Sequence, residues 1–275
     1  MRMPSEGGEV AAGTCAGMIS PADLEFTGER IVPGKTAESL FREHEERYVF
    51  AGQYVARKDV VDVACGAGVG TSYLREAGAR HAWGLDIDPG AVAFAKGRYK
   101  DCEFAECEAT QLCLQSGSAD VVVSFETVEH LKEQRKFLVE CRRVLRPGGV
   151  LICSTPNHAI SRWSANNPFH TRELNPAEFH RLLGSIFESV TLFAQDERVY
   201  LTLIARRMGL RFLEAMGLRR FIRGLLTRAS VTESLRTEFA SNVSRPEAKI
   251  REYRRNLLTQ PTFLIAVARK EPAQG

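Results

Sequence analysis

The 275-residue sequence contains no apolar run near the roughly 20 residues needed to cross a bilayer. Its first twenty residues are rich in Gly, Ala, Ser and Glu and lack the apolar block of a secretory leader, so residues 1–20 read as a disordered tail of a cytoplasmic protein. No C-x-x-C pair occurs among the seven cysteines, Cys15, Cys65, Cys102, Cys107, Cys113, Cys141 and Cys153. An odd, scattered set fits a reducing compartment, with the thiols acting as small buried hydrophobes and no metal expected. A marked charge excess is also missing: 37 Lys and Arg stand against 34 Asp and Glu, a net +3 that gives no reason to expect a nucleic-acid partner. The Lys-Ser/Thr ending of a phosphate loop is absent, as is the G-x-G-x-x-G of dinucleotide enzymes. With 44% apolar residues the chain can still bury a full core.

What is present centres on Val60 to Gly70, V-V-D-V-A-C-G-A-G-V-G. An apolar run of strand length enters three glycines at alternate positions, Gly66, Gly68 and Gly70, where a backbone without Cβ atoms can turn tightly and approach a ligand. Thr71 to Ala77 can form a short helix whose free N–H groups face that turn, with Gly78 placed to stop it. Twenty residues after the first glycine, a second apolar segment, H-A-W-G-L-D, ends in Asp86. An acid at that point of a βαβ unit hydrogen-bonds ribose hydroxyls.

Asp62-Val-Ala-Cys-Gly66-Ala-Gly68 together with Gly-Leu-Asp86-Ile-Asp resembles the class I S-adenosylmethionine-dependent methyltransferases. The resemblance implies a Rossmann-like α/β fold with a seven-stranded, mostly parallel sheet and an antiparallel last strand, and S-adenosyl-L-methionine as cofactor. Ala64 stands where the family often has glycine. Carried onto this sequence, cofactor contacts fall at Asp62, Ala64, Cys65, Gly66 and Gly68 in the first turn, at Asp86 and Ile87 after the second strand, and at Glu126. After strand three, Glu108 and Ala109 match the pair that holds adenine, although the family more often has Asp-Ala; a solvated Glu108 is the alternative. The physical need there is an acceptor for an exocyclic amine.

Other stretches extend the likeness. Ala37 to Arg57 carries Leu40, Phe41, His44, Tyr48, Ala51 and Val55 at helical spacing, a lid helix in which Tyr48 either covers the cofactor or packs on the sheet. Asp88-Pro89-Gly90 begins a further helix. Strand four, Ala119 to Phe125, runs into Glu126-Thr-Val-Glu129-His130-Leu131, similar to the family's E-x-x-E-H-L turn. His130 is there either a general base or substrate-side partner, or a residue holding the turn. Glu133 to Leu145 reads as a helix, R-P-G-G at 146–149 as its stop, and Val150 to Ser154 as strand five, which places Asn157 and His158 near the active face. Asn166-Asn-Pro-Phe-His170-Thr-Arg172 resembles an N-P-F-H segment of the same subgroup and makes His170 the first acceptor-side candidate, with Arg172 behind it; a loop histidine packed beside Phe169 is the alternative.

Asn175-Pro-Ala-Glu178 opens the next helix, Ser189 to Gln195 is strand six and Thr262 to Arg269 strand seven, more than sixty residues late. The division expected is a tail over 1–20, a lid over 21–58, a core over 59–195 plus 259–270, and a basic helical insertion over 196–258. From Leu203 to Arg228 seven arginines face one acid, and these basic stretches could line an acceptor pocket, dock a partner subunit in a homodimer, or touch an anionic membrane surface. Glu247 to Leu258 reads as a further helix. The activity implied is methyl transfer to a small-molecule acceptor, at an oxygen of a sugar, glycolipid precursor or natural product. A catalytically silent cofactor-binding subunit and an N-methyltransferase are the alternatives.

Overall fold

A computed structural model describes residues 36–162, 167–199, 250–256 and 259–272. The tail over 1–20, the first part of the lid segment and the arginine-rich stretch over 203–228 lie outside the described residues. The chain order is α1 (Glu38–Gly52), β1 (Asp59–Val63), α2 (Val69–Glu76), β2 (His81–Asp86), α3 (Pro89–Arg98), β3 (Glu103–Glu106), β4 (Ala119–Ser124), a short 3-10 turn (Val128–His130), α4 (Gln134–Val144), β5 (Leu145–Pro156), α5 (His158–Ser161), α6 (Pro176–Gly184), β6 (Ser189–Val199), β7 (Arg251–Glu252) and β8 (Thr259–Arg269). The strands form one sheet in the order β3-β2-β1-β4-β5-β8-β6-β7. The first five run parallel, β8 runs antiparallel to both β5 and β6, and β7 is antiparallel to β6.

All five residues of β1 are buried, as expected of a central parallel strand covered on both faces. Alternate side chains feed two cores. Val61, Val122, Leu151 and Leu264 join Phe137, Leu138, Phe179 and Leu183 from α4 and α6. Val60, Val121, Ile152 and Ile265 join Phe50, Ala51 and Leu74 from α1 and α2. The strand order reverses beside β1, so the ends of β1 and β4 open a crevice on the carboxyl side of the sheet. Helix starts follow their local chemistry. Asp88 caps α3 by accepting from Gly90 N–H at 2.7 Å, and Asn175 and Glu178 form a reciprocal capping box on α6.

Several boundaries differ from the sequence expectation. Helix α1 stops at Gly52 instead of reaching Arg57, because Tyr54 N–H turns back to the Ala51 carbonyl at 2.9 Å and tightens the last turn. Helix α2 begins two residues early, at Val69, since Gly68 at φ +79° serves as its cap. Strand β6 continues past Gln195 to Val199, because β8 pairs with it throughout, from Ser189↔Arg269 to Val199↔Thr259. Of the helix expected over 247–258, the described residues 250–256 form none: Arg251 and Glu252 make a strand on the open edge of β6, opposite Ala194 and Phe193. An unsatisfied sheet edge outweighs local helix propensity in so short a segment. With β7 the sheet has eight strands rather than seven. The six described cysteines are free thiols, and among the described residues no helix is long and apolar enough to cross a membrane.

Candidate active site

At the carboxyl ends of β1, β2 and β4 lies a cleft of about 460 Å³, within the usual range for small-molecule sites. Its floor is the glycine turn. Asp86, buried at the end of β2, accepts Gly66 N–H on Oδ2 at 2.7 Å and Asp88 N–H on Oδ1 at 2.9 Å. Each carboxylate oxygen therefore retains an outer lone pair for a ligand. Beside it Ile87 is 66% exposed, an apolar side chain on the cleft wall that a flat ligand would cover. The Cys107 N–H reaches the Asp86 carbonyl at 2.9 Å and brings Glu108 and Ala109 to the same wall. Glu108 accepts a hydrogen bond from the Thr110 hydroxyl.

The turn itself needs unusual backbone. Gly66 and Gly68 have φ +55° and +79°, and Ala64 holds φ +60°, a left-handed conformation that costs a residue with a Cβ about 1–2 kcal/mol. A Cβ on Gly70 would sit 1.9 Å from Cζ of Tyr48, so that glycine makes room for the tyrosine ring. Tyr48 rests edge-on against Phe125, centroids 4.9 Å apart, and its hydroxyl donates to Asp62 at 3.2 Å. It lines the cleft and packs on the sheet at once, so the two roles weighed for it are compatible.

Asp62 stands behind the turn, 1% exposed, accepting from the Thr71 hydroxyl at 2.7 Å as well as from Tyr48. Burial pushes its carboxyl up to about 7, with the Asp86 charge adding to the rise and the two hydroxyl hydrogen bonds opposing it. Of the residues expected to contact cofactor, Tyr48, Ala64, Cys65, Gly66, Asp86, Ile87, Glu108, Ala109 and Glu126 line the cleft. Asp62 and Gly68 do not; they shape the turn from beneath it.

The opposite wall comes from the E-T-V-E-H turn. Glu126, at φ +52°, donates its N–H to the Ser154 hydroxyl at 3.1 Å, and that hydroxyl donates back to its carboxylate at 2.6 Å. His130 lines the cleft, and its Nδ1 lies 3.2 Å from the Phe169 carbonyl. The neighbouring Glu129 is fully buried; burial and then the nearby Glu126 charge push its carboxyl well above the ordinary range. Its carbonyl accepts from Thr171 and Arg172 N–H at 2.8 and 3.1 Å, which fastens the loop carrying His170 to this turn. The two imidazoles meet edge-on at 4.9 Å, and His170 Nδ1 lies 2.6 Å from Glu173 Oε1. Burial raises Glu173, but hydrogen bonds from Ser161, His170 and His158 outweigh it and leave the carboxyl below its ordinary value. His170 thus stands behind His130 rather than on the cleft wall. Arg172 turns outward to Glu178 at 3.6 Å, and Asn157 is a buried cap whose amide donates to the Pro261 carbonyl at 2.8 Å.

Sequence reasoning missed the lid residues Phe41, His44 and Glu45, which also line the cleft, and Glu129, which is buried behind it. The spacing of Phe41, His44 and Tyr48 on one face of α1 was the available signal. Burial, then the Arg47 charge, holds the His44 imidazole well below its usual range and therefore neutral. Arg47 anchors the lid: fully buried, it donates from Nε to Gln195 Oε1 at 2.7 Å and lies over the Phe263 ring at 4.2 Å.

Residues 61–153 match a family described as a methyltransferase domain. A probable S-adenosylmethionine-dependent methyltransferase of Mycolicibacterium smegmatis is 43% identical over 167 residues, 59% of this chain and 65% of that protein. A protein of Mycobacterium tuberculosis with the same description is 40% identical over 61% of this chain and 62% of its own length. The phthiotriol/phenolphthiotriol dimycocerosates methyltransferase of Mycobacterium tuberculosis is 35% identical over 40% of this chain and 42% of its own. The chain therefore spans under two thirds of the length of these relatives. Among solved structures, a methyltransferase of Thermotoga maritima superposes with TM-score 0.57 over 85% of this chain and 94% of its own at 14% identity. One from Archaeoglobus fulgidus gives 0.54 over 85% and 95% at 17%, and at such identity these two speak for the fold.

Proposed function

We propose that this chain is a class I S-adenosylmethionine-dependent methyltransferase that transfers the methyl group of S-adenosylmethionine to an oxygen of a small-molecule acceptor of sugar, glycolipid-precursor or natural-product type, a reading supported by the methyltransferase-domain match and by its relatives. The observation that carries this reading is Asp86, locked by Gly66 and Asp88 N–H with its outer lone pairs at the cleft, beside an exposed Ile87. These residues suit a ribose diol and the face of an adenine. The relative named for phthiotriol and phenolphthiotriol dimycocerosates is what supports the glycolipid-precursor branch.

The cofactor supplies a sulfonium-bound methyl group, and the acceptor displaces the sulfur in line. The chain's own task is placement. Gly66 and Ala67 let the methionine part lie close to the main chain, Tyr48 and Phe41 close the lid side, and Glu108 offers an acceptor to the adenine amine. The acceptor enters from the Glu126–His130 wall, where His130 is oriented by the Phe169 carbonyl and backed by His170.

Calorimetry with S-adenosylhomocysteine tests the cofactor half. Asp86→Ala removes two charged hydrogen bonds, each worth about 1.5–3 kcal/mol, and should weaken binding at least about 100-fold. Unchanged binding in that variant overturns the placement. Radiolabelled methyl from the cofactor, offered with cell extract, should appear in a small-molecule or lipid fraction; label confined to protein or nucleic acid would refute the acceptor class.

A further inference from the structure

We propose that Glu129, His130 and His170 form a binding site for one borderline divalent cation, zinc in the first place, at the acceptor end of the cleft. The three side chains come from two loops that the chain fastens together, and one ligand atom from each lies within 4.8 Å of the others. Ligands of a tetrahedral zinc, at about 2.0–2.1 Å from the metal, stand about 3.4 Å apart. His130 Nε2 is already 3.9 Å from Glu129 Oε1, so a displacement of about half an ångström completes that edge.

Three further observations point to a cation. First, each ring has its Nδ1 occupied by a group that only accepts, the Phe169 carbonyl for His130 and the Glu173 carboxylate for His170. His170 is thereby held as the tautomer with hydrogen on Nδ1 and the lone pair on Nε2, and His130 Nδ1 is placed to donate to the Phe169 carbonyl in the same way. That is the arrangement in which a metal-ligating histidine donates its other N–H to an outer carbonyl or carboxylate. Second, Glu129 is fully buried, and while its Oε2 accepts from the Thr155 hydroxyl at 3.2 Å, its Oε1 has no hydrogen-bond partner. A buried carboxylate oxygen without a donor is costly, and a cation meets that need. Third, Glu173 is itself held by the Ser161 hydroxyl and lies near His158 at 3.4 Å, so the outer shell is built and not a chance contact. Two imidazoles and one carboxylate suit zinc, with manganese, iron and cobalt as the chemically nearest substitutes.

The site deepens the reading of the Glu126–His130 wall as the acceptor side, and its use rests on that reading. Three protein ligands leave a fourth position, and since His130 lines the cleft while Glu129 and His170 lie behind it, an acceptor hydroxyl would take that position from the His130 side. Coordination lowers the pKa of that hydroxyl; its proton passes to water, the oxygen pair forms the new bond to the methyl carbon, and the breaking C–S pair returns to sulfur.

The test uses the full chain, stripped with chelator under reducing conditions and titrated with cobalt(II), whose ligand-field absorption reports coordination. One equivalent should bind. His130→Ala and His170→Ala should each weaken it at least about 100-fold, and Glu173→Gln, which of the three proposed ligands meets only His170, about 10–100-fold. Cys113→Ser should leave the spectrum unchanged. S-adenosylhomocysteine affinity within about threefold of the parent in His170→Ala shows that the cofactor cleft is intact. Absence of cobalt binding, binding unaffected by either histidine, or thiolate-type absorption lost in Cys113→Ser would overturn the proposal. Loss of S-adenosylhomocysteine binding by the unaltered chain would instead sink the methyltransferase reading.

Discussion

Replacing Asp62 by asparagine separates a neutral acid from an ionised one beneath the glycine turn. Asp62 has two hydroxyl partners, Thr71 and Tyr48, and its surroundings raise its carboxyl to about 7 chiefly through burial. In the unfolded chain the same carboxyl titrates near 3.9. A folded-state value above the unfolded one means that the folded protein holds the proton more tightly. The stabilisation is fully present below about pH 4 and is lost as pH rises through about 7. A separation of about three pKa steps at 1.36 kcal/mol each makes the ionised residue cost about 4 kcal/mol at pH 8. About 1.5 kcal/mol of that has already accrued at pH 5, so about 2.5 kcal/mol falls between pH 5 and pH 8. The introduced amide cannot ionise but keeps the shape, and both hydroxyls can rotate to serve it. Urea unfolding of parent and Asp62→Asn across pH 5 to 8, with titrations shared by both chains cancelling in the difference, should show the variant gaining on the parent by about 2.5 kcal/mol. A difference that is flat with pH would mean that the carboxyl has one charge state throughout, and the reasoning fails.

Ala64→Gly relieves the φ +60° conformation at the cost of a more flexible unfolded chain, for a net gain of about 0.5–1 kcal/mol, visible as a rise of about 2 °C in melting temperature; a fall would show that Ala64 is unstrained. Gly70→Ala drives a methyl into the Tyr48 ring, so S-adenosylhomocysteine binding should weaken at least about tenfold, and adding Tyr48→Ala should recover folding stability; unaltered affinity in the single variant would refute the packing. Cys113, whose thiol a hydrogen bond from Cys107 lowers to about 7 against the opposing effect of burial, should be the first of the six described cysteines alkylated near neutral pH, as peptide mass spectrometry can read. Faster labelling of Cys102, pushed up to about 11 by burial, would contradict that assignment.

The strand-turn-strand frame of the cleft is legible in local residues alone. An apolar run from Val60, glycines at 66 and 68 and an acid at 86 are local requirements of backbone conformation and of the proposed ribose contact, and their spacing along the chain fixes their separation in space. Caps at Asp88 and Asn175 were legible for the same reason, since each acts within three residues. What lies across the sheet was not. The burial of Asp62 behind the turn, the Arg47 anchor on Gln195, the pairing of 251–252 with β6 and the meeting of Glu129, His130 and His170 each join residues brought together only by packing. Sequence spacing carries no information about which side of a turn a carboxylate faces, or about the neighbour that an open strand edge will find; sheet order and burial decide both.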